Sequence, residues 1–316
     1  MRSGVFGFGA LLASLMLAPA EADTRILFVG NSFTFGATSA VRHYKAETVH
    51  DLNERGIGGV PALFRRMTEE AGLSYDVSLE TIGGASLTMH WEEKRDLIDK
   101  PWDVVVLQSY STLDKHNPGD ATDLIASVRN IGDALRQQNP HVALYLTATW
   151  ARADLVYRQP SPWHGKPLSA MTHDIRKGYD AAKATTDQAS VLPVGEAWLE
   201  AIRIGVADRD PFDGIEYNKV NLWGWDNYHA STYGYYLEAL IAFGGITGHD
   251  PRELGAAEKC ADDLGISPEQ TTALQKAAAE TLRREGKQLV WHVAAHADRA
   301  HPTSHGNALM MSFRQK

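Results

Sequence analysis

Residues 25–32 read RILFVGNS, and the fold is decided there. Residues 26–29 are four apolar side chains with no polar alternation. A run that short and continuous suits a strand covered on both faces, as in a parallel sheet with a helix layer on each side. Gly30 ends the run, allowing a tight turn and a close approach of other backbone. Asn31 and Ser32 then stand at the carboxyl end of the strand, the edge at which open α/β sheets bind ligands.

Working outward, four more runs of this kind follow: residues 76–82 (DVSLETI), 103–108 (DVVVLQ), 143–149 (ALYLTAT) and 191–196 (VLPVGE). Helical spacing of apolar residues lies between and beyond them, over 61–72, 121–138, 172–185, 233–243 and 268–285. In residues 121–138 the face is Leu124, Ile125, Val128, Ile131 and Leu135. Strands alternating with helices predict an α/β fold: a flavodoxin-like three-layer αβα sandwich around a central five-stranded parallel sheet. Residues 36–59 and 151–168 break the alternation, and both leave carboxyl ends of expected strands. No internal repeat is visible.

The full chain has 316 residues and a net charge of −8. An apolar fraction of 44% and a charged fraction of 22% are those of an ordinary globular domain, which argues against wholesale disorder. The acidic balance argues against a nucleic-acid partner, which needs clustered Lys and Arg. The single cysteine, Cys260, excludes an internal disulfide framework and a cysteine-based zinc site, and it reads as a small buried residue. Arg2, the apolar run from Val5 to about Leu17, and the small residues Ala18, Ala20 and Ala22 read as a secretory signal peptide over 1–22. The alternative, a membrane anchor, needs about 20 apolar residues, more than this run supplies. The expected organisation is a signal peptide (1–22), one α/β domain (23–250) and a helical extension packed on it (251–316) whose end is loose. The mature protein is expected to be exported, to the periplasm or beyond the cell, with no membrane attachment.

Two groups of residues carry candidate chemistry. Ser32 is placed to project a hydroxyl into the ligand crevice, although a serine there can equally cap a turn. About 200 residues later comes Asp226-Asn227-Tyr228-His229, just ahead of the apolar helix 233–243. A serine nucleophile needs a general base, usually imidazole, and the imidazole needs an acid at its other nitrogen. Asp226 and His229 could supply both from one turn. A bare D-x-x-H is common, and its alternative reading is a solvated surface pair.

Taken together these residues resemble the SGNH (GDSL-type) hydrolases. The first family block, Gly-Asp-Ser, is matched by Gly30-Asn31-Ser32 with Asn for Asp. The second, a glycine after the second strand, is matched by Gly84-Ala85-Ser86. The last, Asp-x-x-His before a glycine and an apolar helix, is matched by Asp226, His229 and Gly234. The resemblance covers about residues 24–250. It implies a serine esterase with a Ser32–His229–Asp226 triad. It also implies an oxyanion hole from the backbone N–H groups of Ser32 and Gly84 and a carboxamide after the third strand. The family's asparagine at that last place is missing. Gln108 offers the same group on a longer arm and is assigned to it, with Ser109 and Asn117 as weaker substitutes. No metal or organic cofactor is implied.

Trp223, Trp225 and Tyr228 crowd around the Asp226–His229 segment and are expected to form a substrate platform for a sugar ring. Trp91 and Trp150 are further candidates, with core packing as the competing reading. The expected substrate is therefore an acylated carbohydrate, with O-acetyl as the preferred group. A lipid or small acyl ester on the same fold is the alternative. A catalytically weak glycan-binding protein is the competing class. His43, His50, Asp51, His164 and His173 on the two insertions read mainly as solvated loop, and the histidines of the tail lack the carboxylate spacing of a metal site. Oligomeric state is not encoded in any of these features.

Overall fold

The computed structural model describes residues 23–291. The expected signal peptide and the end of the tail, with His292, His296, His301 and His305, lie outside the described residues.

Strands β1 (Thr24–Gly30), β2 (His50–Asp51), β3 (Tyr75–Thr81), β4 (Val104–Leu107), β5 (Ala143–Ala148) and β6 (Ala189–Pro193) form one sheet. Every pairing is parallel, and the order is β2-β3-β1-β4-β5-β6. Leaving out the two-residue β2, the five long strands run second-first-third-fourth-fifth in chain order. That is the flavodoxin-like order, whose ligand crevice opens where the chain reverses direction between the first and third strands. Here those strands are β1 and β4, so Ser32 and Gln108 leave the sheet side by side at the switch point.

The helices are α1 (Gly59–Glu70), α2 (Leu87–Ile98), α3 (Thr122–Gln138), α4 (Leu168–Lys183), α5 (Val194–Arg203), α6 (Thr232–Thr247), α7 (Lys259–Asp263) and α8 (Pro268–Arg284). The sheet is dry on both faces. Ile26, Leu27, Val105, Leu107, Leu144 and Leu146 are fully buried, which is why their runs show no polar alternation. Phe28 meets Phe64 of α1 edge-on at 5.5 Å, closing one side of the first strand.

Three expectations are corrected. The sheet has six strands, not five. β2 lies inside the polar insertion and pairs His50 with Ser78 and Asp51 with Leu79. A two-residue polar edge strand has no hydrophobic period to read. Asp51 then turns the chain by accepting the N–H groups of Asn53, Arg55 and Ile57. The expected strand over 191–196 is half helix: β6 ends at Pro193 and α5 starts at Val194, strand and helix joining with no loop between them. Helix α2 was not anticipated, because it buries only Leu87, His90 and Ile98.

Beyond residue 250, α8 lies against α5 and α6. Leu274 and Leu282 are fully buried, the Leu282 side chain fits beside Gly244, and Arg284 pairs with the buried Glu200. Ser267 and Gln270 form a reciprocal capping box at its start. Among the described residues no helix is long and apolar enough to cross a membrane.

Candidate active site

The turn after β1 is built by side chains that the sequence separates widely. Asn31 is 2% exposed, and its amide nitrogen donates to Ala85 O (3.0 Å) and Ser109 O (3.2 Å). Its Oδ1 accepts the N–H of Phe33. One residue thus ties β1 to the loop after β3 and to the end of β4. Gln108, 1% exposed, completes the knot: its Oε1 accepts Asn31 N–H (2.9 Å) and Thr34 Oγ1–H (3.0 Å), and its amide donates to Ser109 O. Gly30 has to be glycine, because a Cβ there would run into Thr34 Oγ1 and lie 2.8 Å from Gln108 Oε1.

Ser32 sits in this turn with only 7% of its surface exposed. Its carbonyl accepts the N–H of Ala37, and the Tyr235 hydroxyl of α6 lies 3.1 Å away. Among the described residues the backbone N–H of Ser32 has no acceptor, and neither has that of Gly84. Gly84 has φ +72 in the turn from Ile82 to Ala85, and a Cβ there would meet nothing. A left-handed residue facing open space keeps its N–H available to a ligand.

Asp226 and His229 come together through their own local turn. Asp226 Oδ1 accepts the N–H groups of Tyr228 (3.0 Å) and His229 (2.9 Å), and Oδ2 receives His229 Nδ1–H at 2.7 Å. The spacing of three lets one carboxylate fix both the backbone and the ring. Asn227 supplies the reversal at φ 56, and Gly224 N–H closes onto His229 O at 2.7 Å. Burial alone would raise the Asp226 pKa. The His229 ring and the two backbone N–H groups outweigh it and hold the carboxyl below its ordinary value. An anionic Asp226 fixes the proton on Nδ1, leaving the Nε2 lone pair free. Nε2 is buried and makes no hydrogen bond among the described residues. Ser231 caps α6 immediately afterwards, and Gly234 is required because a Cβ would press on Leu222 O and on Trp198 (2.6 Å).

The rings of this segment join the two halves of the site. Phe33, next to Ser32, lies 5.6 Å from the His229 ring and 5.4 Å from the Tyr228 ring. Phe33, Trp150 and Trp198 form a stack, at 4.4 and 4.6 Å. Trp150 is fully buried, so its role is packing.

The aromatic platform is corrected in two of its three members. Trp223 is 2% exposed, donates Nε1–H to Ala151 O, and packs edge-on against Trp198. Tyr228 has the His229 ring 4.0 Å away and the Arg152 guanidinium 3.8 Å over its ring, so its faces are occupied. Trp225, 81% exposed, keeps a free face. Both readings of the tryptophan-rich segment rested on composition, which cannot say which face of a ring a distant residue will cover. The residue missed from sequence was Arg152. It is held by both oxygens of Asp154 and stands at the carboxyl edge beside Tyr228. Its position just after an expected strand was the available signal.

Of the other candidates, Asn117 bonds Asp120 on the surface, and Ser109 is fully buried with its Oγ accepting the N–H of Leu87. His43 bonds Gly56 O, His50 pairs with Asp76, and His164 and His173 are exposed. Trp91 is half-buried under Arg95. Cys260 is buried, its thiol against Leu63 O. A cleft of about 330 Å³ opens beside Gly84, with Ser86, Thr88, Tyr110, Asp114, Lys115 and His116 in its wall.

No family model matches this sequence, and no curated protein does. Solved structures do. A DUF4886 family protein from Bacteroides uniformis aligns at 18% identity with a TM-score of 0.56, over 84% of this chain and 97% of that one. A candidate SGNH hydrolase from Slackia heliotrinireducens aligns at 20% identity and a TM-score of 0.47, over 71% and 100%. A family 3 carbohydrate esterase from Clostridium thermocellum aligns at 17% and 0.45, over 70% and 94%. The first likeness establishes a shared fold across nearly the whole described chain.

Proposed function

We propose that this protein is a serine esterase of the SGNH type, and that it removes short acyl groups, O-acetyl above all, from a carbohydrate. The observation that carries the reading is the Asp226–His229 pair. Its anionic carboxylate sets the tautomer and leaves Nε2 bare, with the His229 ring against Phe33, the residue that follows the serine at the switch point of the sheet. The two unoccupied N–H groups of Ser32 and Gly84 add the second requirement of acyl transfer, a place for the oxyanion.

In this mechanism Ser32 Oγ attacks the ester carbonyl while His229 Nε2 takes its proton. The carbonyl π pair moves onto oxygen, where the Ser32 and Gly84 N–H groups receive it. The imidazolium, stabilised by Asp226, then protonates the leaving alcohol. Water repeats the sequence on the acyl-enzyme and restores Ser32. Among the described residues His229 Nε2 makes no hydrogen bond to Ser32, and catalytic hydrogen bonds commonly form only with substrate in place. The open face of Trp225, with Asp114, Lys115 and His116 in the wall of the cleft beside Gly84, favours a sugar over a long acyl chain. Export after removal of residues 1–22 belongs to the same proposal.

The test is hydrolysis of p-nitrophenyl acetate and release of acetate from O-acetylated xylan, by the mature protein and by Ser32→Ala. Turnover that falls at least about 10³-fold in the variant is the expected result. Equal rates in the two proteins would overturn the assignment of Ser32. Faster cleavage of long-chain esters than of acetates would replace the carbohydrate with a lipid substrate. Tight glycan binding with no turnover of any ester would replace the enzyme with a binding protein.

A further inference from the structure

We infer that the buried Glu80–His90 pair is a positioning device for the Gly84 N–H, holding the turn that presents this donor to the oxyanion. The inference rests on the esterase reading above and adds two residues that touch neither substrate nor Ser32. Glu80, near the end of β3, and His90, in the first turn of α2, are both fully buried, and His90 Nδ1 lies 2.5 Å from Glu80 Oε2. Stability alone does not call for such a pair, since well-packed apolar side chains of similar volume commonly do as well. Among the described residues it is the only side-chain hydrogen bond from β3 to α2.

The two residues stand at the two feet of one turn. β3 ends at Thr81, α2 begins at Leu87, and Gly84 lies midway between them at φ +72. Within the turn, Ala85 N–H reaches Ile82 O at 3.3 Å, a long bond. Three outer supports come from the β1 and β4 side: Ile82 N–H donates to Gly30 O, Asn31 Nδ2 donates to Ala85 O, and Leu87 N–H donates to Ser109 Oγ. The Glu80–His90 bond supplies the tie that these lack, from strand to helix directly. Asn53, in the insertion after β1, completes it: its amide donates to Glu80 Oε1 at 3.0 Å and to Thr81 O at 3.1 Å. The carboxyl is therefore fixed through both oxygens. The other side of the same helical turn faces the cleft. Ser86, Thr88 and Met89 line it together with Gly84, whereas His90 is fully buried behind them. The pair thus anchors the cleft wall that carries the donor without entering the cleft. An oxyanion donor works by being in place before charge develops. A misplacement of about 1 Å, even from a change away from the chemistry, can cost about 10² in rate. His90 Nε2 is buried and makes no hydrogen bond among the described residues, so the imidazole serves through Nδ1. An asparagine carries its amide nitrogen two bonds from Cβ, as Nδ1 is carried, and can stand in for it.

The test compares His90→Leu, which loses the bond, with His90→Asn, which keeps a donor at the place of Nδ1. Both are assayed on p-nitrophenyl acetate well below their thermal midpoints, with active sites counted by fluorophosphonate labelling. His90→Leu is expected to lower kcat per labelled site about 10–100-fold, with KM changed less than about threefold. Its affinity for a trifluoromethyl ketone, which presents an oxyanion once Ser32 adds to it, is expected to fall in parallel. His90→Asn is expected to return to within about threefold of wild type. Asn53→Ala, at a half-buried position, is expected to lower kcat by a smaller factor, and it decides the matter if His90→Leu does not fold. A pair that only stabilises the fold would lower the thermal midpoint of His90→Leu and leave kcat per labelled site within about threefold of wild type, and that result would overturn the inference. So would a loss confined to KM, a His90→Asn protein no better than His90→Leu, or, where His90→Leu does not fold, an Asn53→Ala protein with the wild-type kcat. Failure of the esterase reading is distinct. It would show as no turnover by wild type and no labelling of Ser32 by a fluorophosphonate, and the inference would fall with it.

Discussion

Replacing Asn31 by aspartate, the residue that the SGNH resemblance leads one to expect, is predicted to harm this chain. The Asn31 amide donates to Ala85 O and Ser109 O while its Oδ1 accepts from Phe33. An aspartate keeps the acceptor and presents a second oxygen to two carbonyls. Leaving a buried acceptor without its donor costs about 1–3 kcal/mol. Ala85 O bears the full loss, and Ser109 O less, because Gln108 still donates to it. The sum is about 2–4 kcal/mol at neutral pH, a fall in thermal midpoint of roughly 5–10 °C for a chain of this size. Protonation relieves part of it, since a neutral carboxyl donates once. The folded pKa of the introduced carboxyl is therefore raised above its unfolded value of about 3.9. With the folded state binding more protons than the unfolded one, the deficit is smallest near pH 4 and grows as pH rises through the folded pKa. Urea titrations of wild type, Asn31→Asp and Asn31→Ala at pH 4, 6 and 8 measure this. Asn31→Ala loses the same bonds with no titrating group, so its deficit should not follow pH in this way. An Asn31→Asp protein as stable as wild type at pH 8, or one whose deficit ignores pH, would refute the argument that Asn31 is chosen as a double donor.

Three further outcomes follow from the geometry. Asp226→Asn should lower kcat by about 10³–10⁴ while leaving the thermal midpoint nearly unchanged, because the amide can hold the ring but favours the wrong tautomer; steady-state kinetics on an aryl acetate reads this. Gly30→Ala should cost about 1–3 kcal/mol and abolish turnover, since the new methyl displaces Thr34 and with it the Ser32 turn; denaturant midpoint and activity are measured together. Burial and the neighbouring Glu258 charge push the Glu70 carboxyl up to about 7, against the Lys259 N–H and Arg66. Its folded pKa exceeds the unfolded one, so wild-type stability falls as pH rises from about 4.5 to 7. Glu70→Gln should therefore gain on wild type between pH 5 and pH 8, by about 1–2 kcal/mol after allowance for partial exposure, and paired melting curves would show it.

The sequence by itself determined what depends on near neighbours along the chain. Residues 26–29 and 104–107 are apolar at every position because both sheet faces are covered, so a buried parallel sheet could be read from them. Asp226 and His229 meet through a turn of four residues, so the carboxylate–imidazole pair was legible from spacing and chemistry. The tertiary structure alone decided what depends on residues far apart. Whether an indole is a platform or a core residue depends on what covers its faces, and Trp223 is covered by Trp198 and Ala151 while Trp225 is not. Gln108 looks like a free donor in a linear reading. Its oxygen is taken by Asn31 and Thr34, more than 70 residues earlier, which turns the amide nitrogen onto Ser109 O. The strand β2 exists because β3 offers an open edge, not because His50 and Asp51 favour extension. Local hydrogen bonds are set by the few dihedrals between their partners, whereas burial and side-chain satisfaction are properties of the whole packed chain.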